Sequence, residues 1–152
     1  MFDSSIIGQS SPPFTIEVER GKIHELALAI DDANPIYESR QAAQAAGYAD
    51  VPLYPTSPRL LTFWGFGYRQ ITKHWASLGI DVNRALHGEE GYEYLAPVFP
   101  GDILTGIMTL TDARTTQGKG GTSLDIFTFE IRYTNQHDEP VLFVREVLIV
   151  RI

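Results

Sequence analysis

The order of elements predicts an α+β fold: one short strand, then helices and loops, then four strands. Three observations carry this. Apolar residues recur at helical spacing in the first half, and from Arg84 onward the pattern switches to period two. The helical and strand patterns are segregated along the chain and do not alternate. An aromatic-rich stretch, Arg59–Ser77, supplies an apolar cover for one face of the sheet. At 152 residues the chain fits a single domain.

Residues 1–13 carry Ser, Gln, Gly and Pro and no basic residue, so they read as a loose arm and not as a secretory leader. The domain is expected over 14–152. Phe14–Glu19 alternates Phe14, Ile16 and Val18 against polar partners and reads as a half-buried strand. Ile23, Leu26, Ala27 and Ile30 fall on one helical stripe within Lys22–Ile30. Pro35 biases Asn34 out of the α region, so the chain turns there. Glu38–Ala46 is made of strong helix formers and closed by Gly47. Tyr48–Pro58 holds three prolines in eleven residues and is too apolar for a linker; a packed, irregular loop beside a site is one reading, plain packing the other.

Arg59–Ser77 has Leu60, Leu61, Trp64, Tyr68 and Ile71 on one helical face, weakened by Gly65 and Gly67. Then come strands at Glu89–Tyr94, Ile103–Thr111, Leu124–Tyr133 and Val141–Ile152. Thr115–Thr122 is a loop tip and Asn135–Glu139 a polar turn, so the last three strands form an antiparallel meander. Exposed apolar residues on this sheet suggest an oligomer.

Composition narrows the chemistry. Twelve basic against nineteen acidic residues give a net charge of −7, which argues against nucleic acid and anionic membranes as partners. The chain has no cysteine, which excludes disulfides, thiol nucleophiles and Cys-ligated metals and fits a reducing cytoplasm. His24, His74, His87 and His137 lack metal-ligand spacing, and neither a metal nor a cofactor is expected. Phosphate-loop, dinucleotide, zincin and nucleophile-elbow motifs are missing. His87 reads as a strand-start histidine bonded to a neighbour, and Glu89–Glu90 as a solvated edge.

The informative segment is Asp32-Ala33-Asn34-Pro35-Ile36-Tyr37. Taken alone it is an ordinary helix-ending turn. It resembles the hydratase motif of MaoC-like hot-dog proteins, which reads Asp-x-Asn-Pro-aliphatic-His. Leu86-His87-Gly88-Glu89-Glu90-Gly91-Tyr92-Glu93-Tyr94, followed by Pro97 and Gly101-Asp102, resembles a block of the family's N-terminal dehydratase-like half. Gly47–Pro52 resembles the loop that follows its second helix. Together these blocks span from about residue 14 to the C-terminus.

The resemblance implies a single hot-dog fold, an antiparallel sheet wrapped around a central helix. It also implies (R)-specific enoyl thioester hydratase or 3-hydroxyacyl thioester dehydratase chemistry on a CoA or acyl carrier protein thioester. The site would lie between two hot dogs, as a homodimer or a heterodimer. The family's catalytic Asp carries over onto Asp32. Its His does not, because Tyr37 stands there. Tyr, with an ordinary pKa near 10, orients water but is a poor base, whereas an imidazole exchanges protons at neutral pH. Asn34, and the Thr56 and Ser57 amides near the start of the central helix, are the implied substrate contacts. Lys119, in the tip Gly118–Gly121, could reach a CoA phosphate. Three readings stay open: a subunit that is weak or non-catalytic alone, an active homodimer using Asp32 with Tyr37 or a displaced histidine as helper, and an acyl-thioester binding or regulatory module.

Overall fold

The structure, a computed structural model, describes residues 2–152. Strands β1 (Phe14–Glu17), β2 (Ala85–Tyr94), β3 (Ile103–Gln117), β4 (Ser123–Thr134) and β5 (Pro140–Arg151) form one antiparallel sheet in the order β1-β3-β4-β5-β2. Helices α1 (Arg20–Ala29), α2 (Arg40–Ala45), α3 (Pro58–Gly65) and α4 (Tyr68–Ser77) cover it. The α+β expectation and the meander β3-β4-β5 hold. No described helix is long and apolar enough to cross a membrane.

Period-two patterning decides the inner face. Leu104, Met108 and Leu110 of β3, Phe127, Phe129, Ile131 and Tyr133 of β4, and Leu142, Val144 and Leu148 of β5 are buried there. Against them lie Leu61 and Thr62 of α3 and Ile71 and Trp75 of α4, also buried. The Trp75 ring sits 6.4 Å from Phe129, and Thr62 Oγ1 lies 2.8 Å from the Tyr133 hydroxyl. Burying one such apolar side chain contributes roughly 1.5–3 kcal/mol, so this layer dominates the stability of the fold.

Four boundaries differ from the sequence reading, each for a local reason. Arg59–Ser77 is two helices and not one: Gly67 sits at φ +83°, a left-handed conformation that ends α3 and restarts the chain as α4. The strand expected at Glu89–Tyr94 begins at Ala85, because β5 offers pairing partners through Val150. The strand expected to stop at Thr111 runs to Gln117, paired with Ser123, so the loop tip is only a short turn. The Lys119 side chain lies outside the described residues. Finally, residues 2–13 are strapped along β3. Gly8 and Ser11 N–H groups donate to Leu110 and Met108 carbonyls, both at 2.8 Å, and Ile6 is buried. β1 covers four residues of the fifteen-residue β3, and this segment pairs with the edge left over.

Candidate functional site

The Asp32 turn is built by the end of α1. Asp31 adopts φ +58°, the Asp31 N–H donates to Leu28 O at 3.2 Å, and the Asp32 N–H donates to Ala27 O at 2.9 Å. This is the left-handed helix terminus usually made by Gly, and it aims Asp32 away from the helix. Asp32 Oδ1 then accepts the Asn34 N–H at 2.9 Å, and Asn34 Oδ1 accepts the Ile36 N–H at 3.2 Å. Asn34 therefore caps the short turn Pro35–Tyr37, and its side chain is exposed.

Asp32 is half-buried, and its Oδ2 accepts the hydroxyl of Tyr54 at 3.0 Å. Tyr54 comes from the proline-rich loop, and sequence reasoning missed it. No spacing signals it, since twenty-two residues separate the two groups. Tyr37 is buried, with its ring 4.7 Å from that of Tyr54. Burial, followed by the nearby Tyr54 and Asp32, pushes the Tyr37 hydroxyl above its ordinary pKa. The hydrogen bond to Asp32, followed by burial, raises Tyr54 likewise. Both phenols are thus hydrogen-bond donors at neutral pH and not bases.

The loop that carries Tyr54 is pinned at two points. Asp50 pairs with Arg20 of α1, with Arg20 Nη2 to Asp50 Oδ2 at 2.9 Å, and lies 3.5 Å from Arg40 of α2. The hydrogen bond from Arg20 lowers Asp50 to about 2. The Tyr94 hydroxyl of β2 donates to Pro55 O at 3.0 Å. Of the two amides expected to face a thioester, Ser57 N–H is spent on Tyr54 O at 2.8 Å, with Ser57 itself buried. Thr56 is exposed, and its amide is the one of the pair left for a ligand.

A cleft of about 420 Å³ opens beside Tyr37, walled by Tyr48, Pro52, Pro55, Tyr94 and Leu95. It is apolar with phenolic edges, a lining suited to an acyl chain or pantetheine arm. On the far side of Asp32 a hollow of about 110 Å³ is lined by His24, Leu28, Asp31, Asp32 and Glu38. From sequence His24 stands only among the scattered histidines, because its place off the apolar stripe of α1 gives no hint that the turn brings Asp32 to the same hollow. A larger concavity of about 470 Å³ lies on the outer sheet face around Gly91, Phe143 and Arg145 and shares no lining residue with the cleft or the hollow.

The remaining polar cluster corrects another expectation. Glu89 is exposed and paired with Arg145 at 3.1 Å, as a solvated edge should be. Glu90 is not: its side chain is only 9% exposed, and it lies 3.2 Å from His87 Nε2 and 3.9 Å from Arg59. The reason is β2's register, which turns Glu90 to the inner face opposite Glu146 of β5.

An antiparallel five-stranded sheet wrapped over a broken central helix is the hot-dog fold, and here it carries an Asp-x-Asn-Pro turn beside an apolar cleft. A family model for the FAS1-like dehydratase domain region matches residues 5–144, and the chain belongs to that family. It is 33% identical over 150 residues to a UPF0336 protein of Saccharopolyspora erythraea, covering 98% of this chain and 91% of that one. A UPF0336 protein of Streptomyces avermitilis is 40% identical over 117 residues, 76% of either chain. Among solved structures, the fold matches the HadBC (3R-hydroxyacyl-ACP dehydratase) complex from Mycobacterium tuberculosis with TM-score 0.74 and 23% identity, over 95% of this chain and 96% of that one. It also matches the (R)-hydratase of A. caviae with TM-score 0.63 and 15% identity, over 93% and 94%.

Proposed function

We propose that this chain is one half of an (R)-specific enoyl thioester hydratase or 3-hydroxyacyl thioester dehydratase. It supplies acyl-thioester surface and is weak or silent alone. The observation that carries this reading is Tyr37. It occupies the motif's histidine position, is buried against Tyr54, and is held further from proton exchange than a free phenol. Hydration needs a base for water and an acid for Cα, and each proton-transfer partner is worth roughly 10²–10⁴-fold. Asp32 keeps its place but lacks an imidazole at the motif position. The thioester, on CoA or acyl carrier protein, would lie in the cleft beside Tyr37, with Thr56 N–H as donor to its oxygen. The cysteine-free composition fits work in the cytoplasm.

A second hot-dog chain completes the site in this reading. The edge of β2 that faces away from β5 ends the sheet, and Leu86, Tyr94 and Leu95 near it are 54%, 44% or 39% exposed in the order Leu86, Leu95, Tyr94. Such an edge needs a cover. Light scattering of this chain mixed with a hot-dog chain bearing an intact Asp-x-Asn-Pro-x-His motif from the same genome should show a stable pair. A species that stays at 17.0 kDa alone and in every such mixture would count against the reading.

One observation favours a second reading, an active homodimer. His24 shares the small hollow with Asp32, so a displaced imidazole is at hand. That reading expects robust hydration by the chain alone and its loss in both His24→Ala and Asp32→Asn.

A further inference from the structure

The inner face of β2 and β5 is apolar except at one place. Glu146 stands in a cross-sheet row with Leu110 and Phe129, and directly opposite it on β2 is Glu90. Glu146 is fully buried and Glu90 nearly so. Like charges directly opposite on paired strands repel, and burial sharpens this. Among the described residues, one guanidinium faces them. Arg59, the second residue of α3, lies 2.6 Å from Glu146 Oε1 and 3.9 Å from Glu90, its own plane 4.5 Å above the Phe63 ring. Glu146 Oε2 has no hydrogen-bond partner among the described residues.

His87 joins them through a bulge. The register shifts between His87 and Glu89, so Gly88 is the extra residue and His87 turns to the inner face. A Cβ at Gly88 would stand 2.9 Å from Ile149 Cδ1 and 3.2 Å from the Val147 carbonyl, so any side chain at the bulge presses on β5. His87 Nε2 then lies 3.2 Å from Glu90 and 3.8 Å from Glu146. From β2 the other titratable neighbour is Tyr92, and from β4 it is Tyr133, whose hydroxyl is taken by Thr62. Both are phenols pushed up by burial, so neither carries charge here.

Two carboxyls against one guanidinium leave a net negative charge in a largely buried layer, which is unfavourable unless a proton neutralises it. We propose that Glu146 holds that proton, with His87 neutral and donating to Glu90, and that Arg59 transmits the protonation state of this clasp to the Pro55–Arg59 segment. Acyl-thioester binding at Thr56 is then proton-linked; this last step rests on the function proposed above. The directions agree: burial raises Glu146 and lowers His87. β2 and β5 grip the segment at both ends, β2 through Tyr94 on Pro55 O and Glu90 on Arg59, and β5 through Glu146 on Arg59.

The test is a backbone amide NMR titration of the full chain from about pH 5 to 9. The Thr56, Ser57 and Arg59 amides should move along one shared sigmoid in wild type. Glu146→Gln, which fixes the neutral form, should remove that sigmoid. His87→Gln should leave it. Flat wild-type amides, a sigmoid that survives Glu146→Gln, or one that vanishes in His87→Gln would each overturn the assignment. Crotonyl-CoA binding, measured alone and with the motif-intact partner, separates the two proposals. Affinity should depend on pH in wild type by no more than about tenfold per unit, the slope of one proton, and be level in Glu146→Gln. If crotonyl-CoA binds in neither setting, the acyl-thioester reading falls while the amide titration still decides the clasp.

Discussion

The Asp32 turn and the Arg59 clasp place carboxylates in opposite ways. Asp32 is satisfied by its own neighbourhood: a backbone N–H two residues on, and one phenol. It is half-buried, and removing its charge disturbs little else. Glu146 is held from a distance and at one oxygen only, by a residue 87 positions away in sequence, inside an apolar sheet face. The first arrangement is cheap and keeps a reactive group near solvent. The second is costly to disturb and ties a helix start to two strands.

That contrast is sharpest in stability. Glu146→Ala should lower unfolding free energy in urea by about 2–4 kcal/mol, from a lost charge-assisted hydrogen bond and the space left behind. Asp32→Asn should stay within about 0.5 kcal/mol of wild type, as surface-type changes do. Equal losses at both sites would erase the distinction.

Next in size is Gly88→Ala. The added carbon meets Ile149 and a β5 carbonyl, so a loss of about 1–3 kcal/mol is expected in thermal unfolding, together with displacement of His87. A smaller effect separates the two regions by pH. Glu146 has a raised folded pKa, so its contribution is full below the ordinary carboxylate range and is lost as pH rises through the raised value. The stability of Glu146→Gln relative to wild type should therefore grow from about pH 5 to 8. Asp50 runs the other way. Its pKa is lowered to about 2, so its contribution is present above about pH 3.9 and lost as pH falls toward 2. Arg20 is 44% exposed, and solvent screening keeps this pair to no more than about 1 kcal/mol. Asp50→Asn should accordingly blunt acid unfolding only slightly, measured by circular dichroism against pH.

The same contrast explains what the sequence disclosed. The Asp32 turn, the alternation of β4 and the boundaries of α1 and α2 are local signals, and they read correctly within a few residues. Arg59–Ser77 misled because its apolar stripe continues across Gly67, and only the backbone shows the break. Glu90 looked like surface beside Glu89, because a one-residue bulge at Gly88 decides which of the two faces inward. Tyr54 meets Asp32, and His24 shares a hollow with it, only through the packing of a loop and the reversal at Asp31. No periodicity encodes either arrangement.

The central claim is that this chain contributes a surface and not a complete catalytic pair. Crotonyl-CoA hydration should be followed with the chain alone, with a motif-intact hot-dog partner, and with that partner plus Asp32→Asn. Negligible turnover is expected from the chain alone, turnover in the ordinary range of about 1–10³ s⁻¹ with the partner, and little change when Asp32 is replaced in this chain. Turnover in that range by the chain alone, abolished by Asp32→Asn, would contradict it.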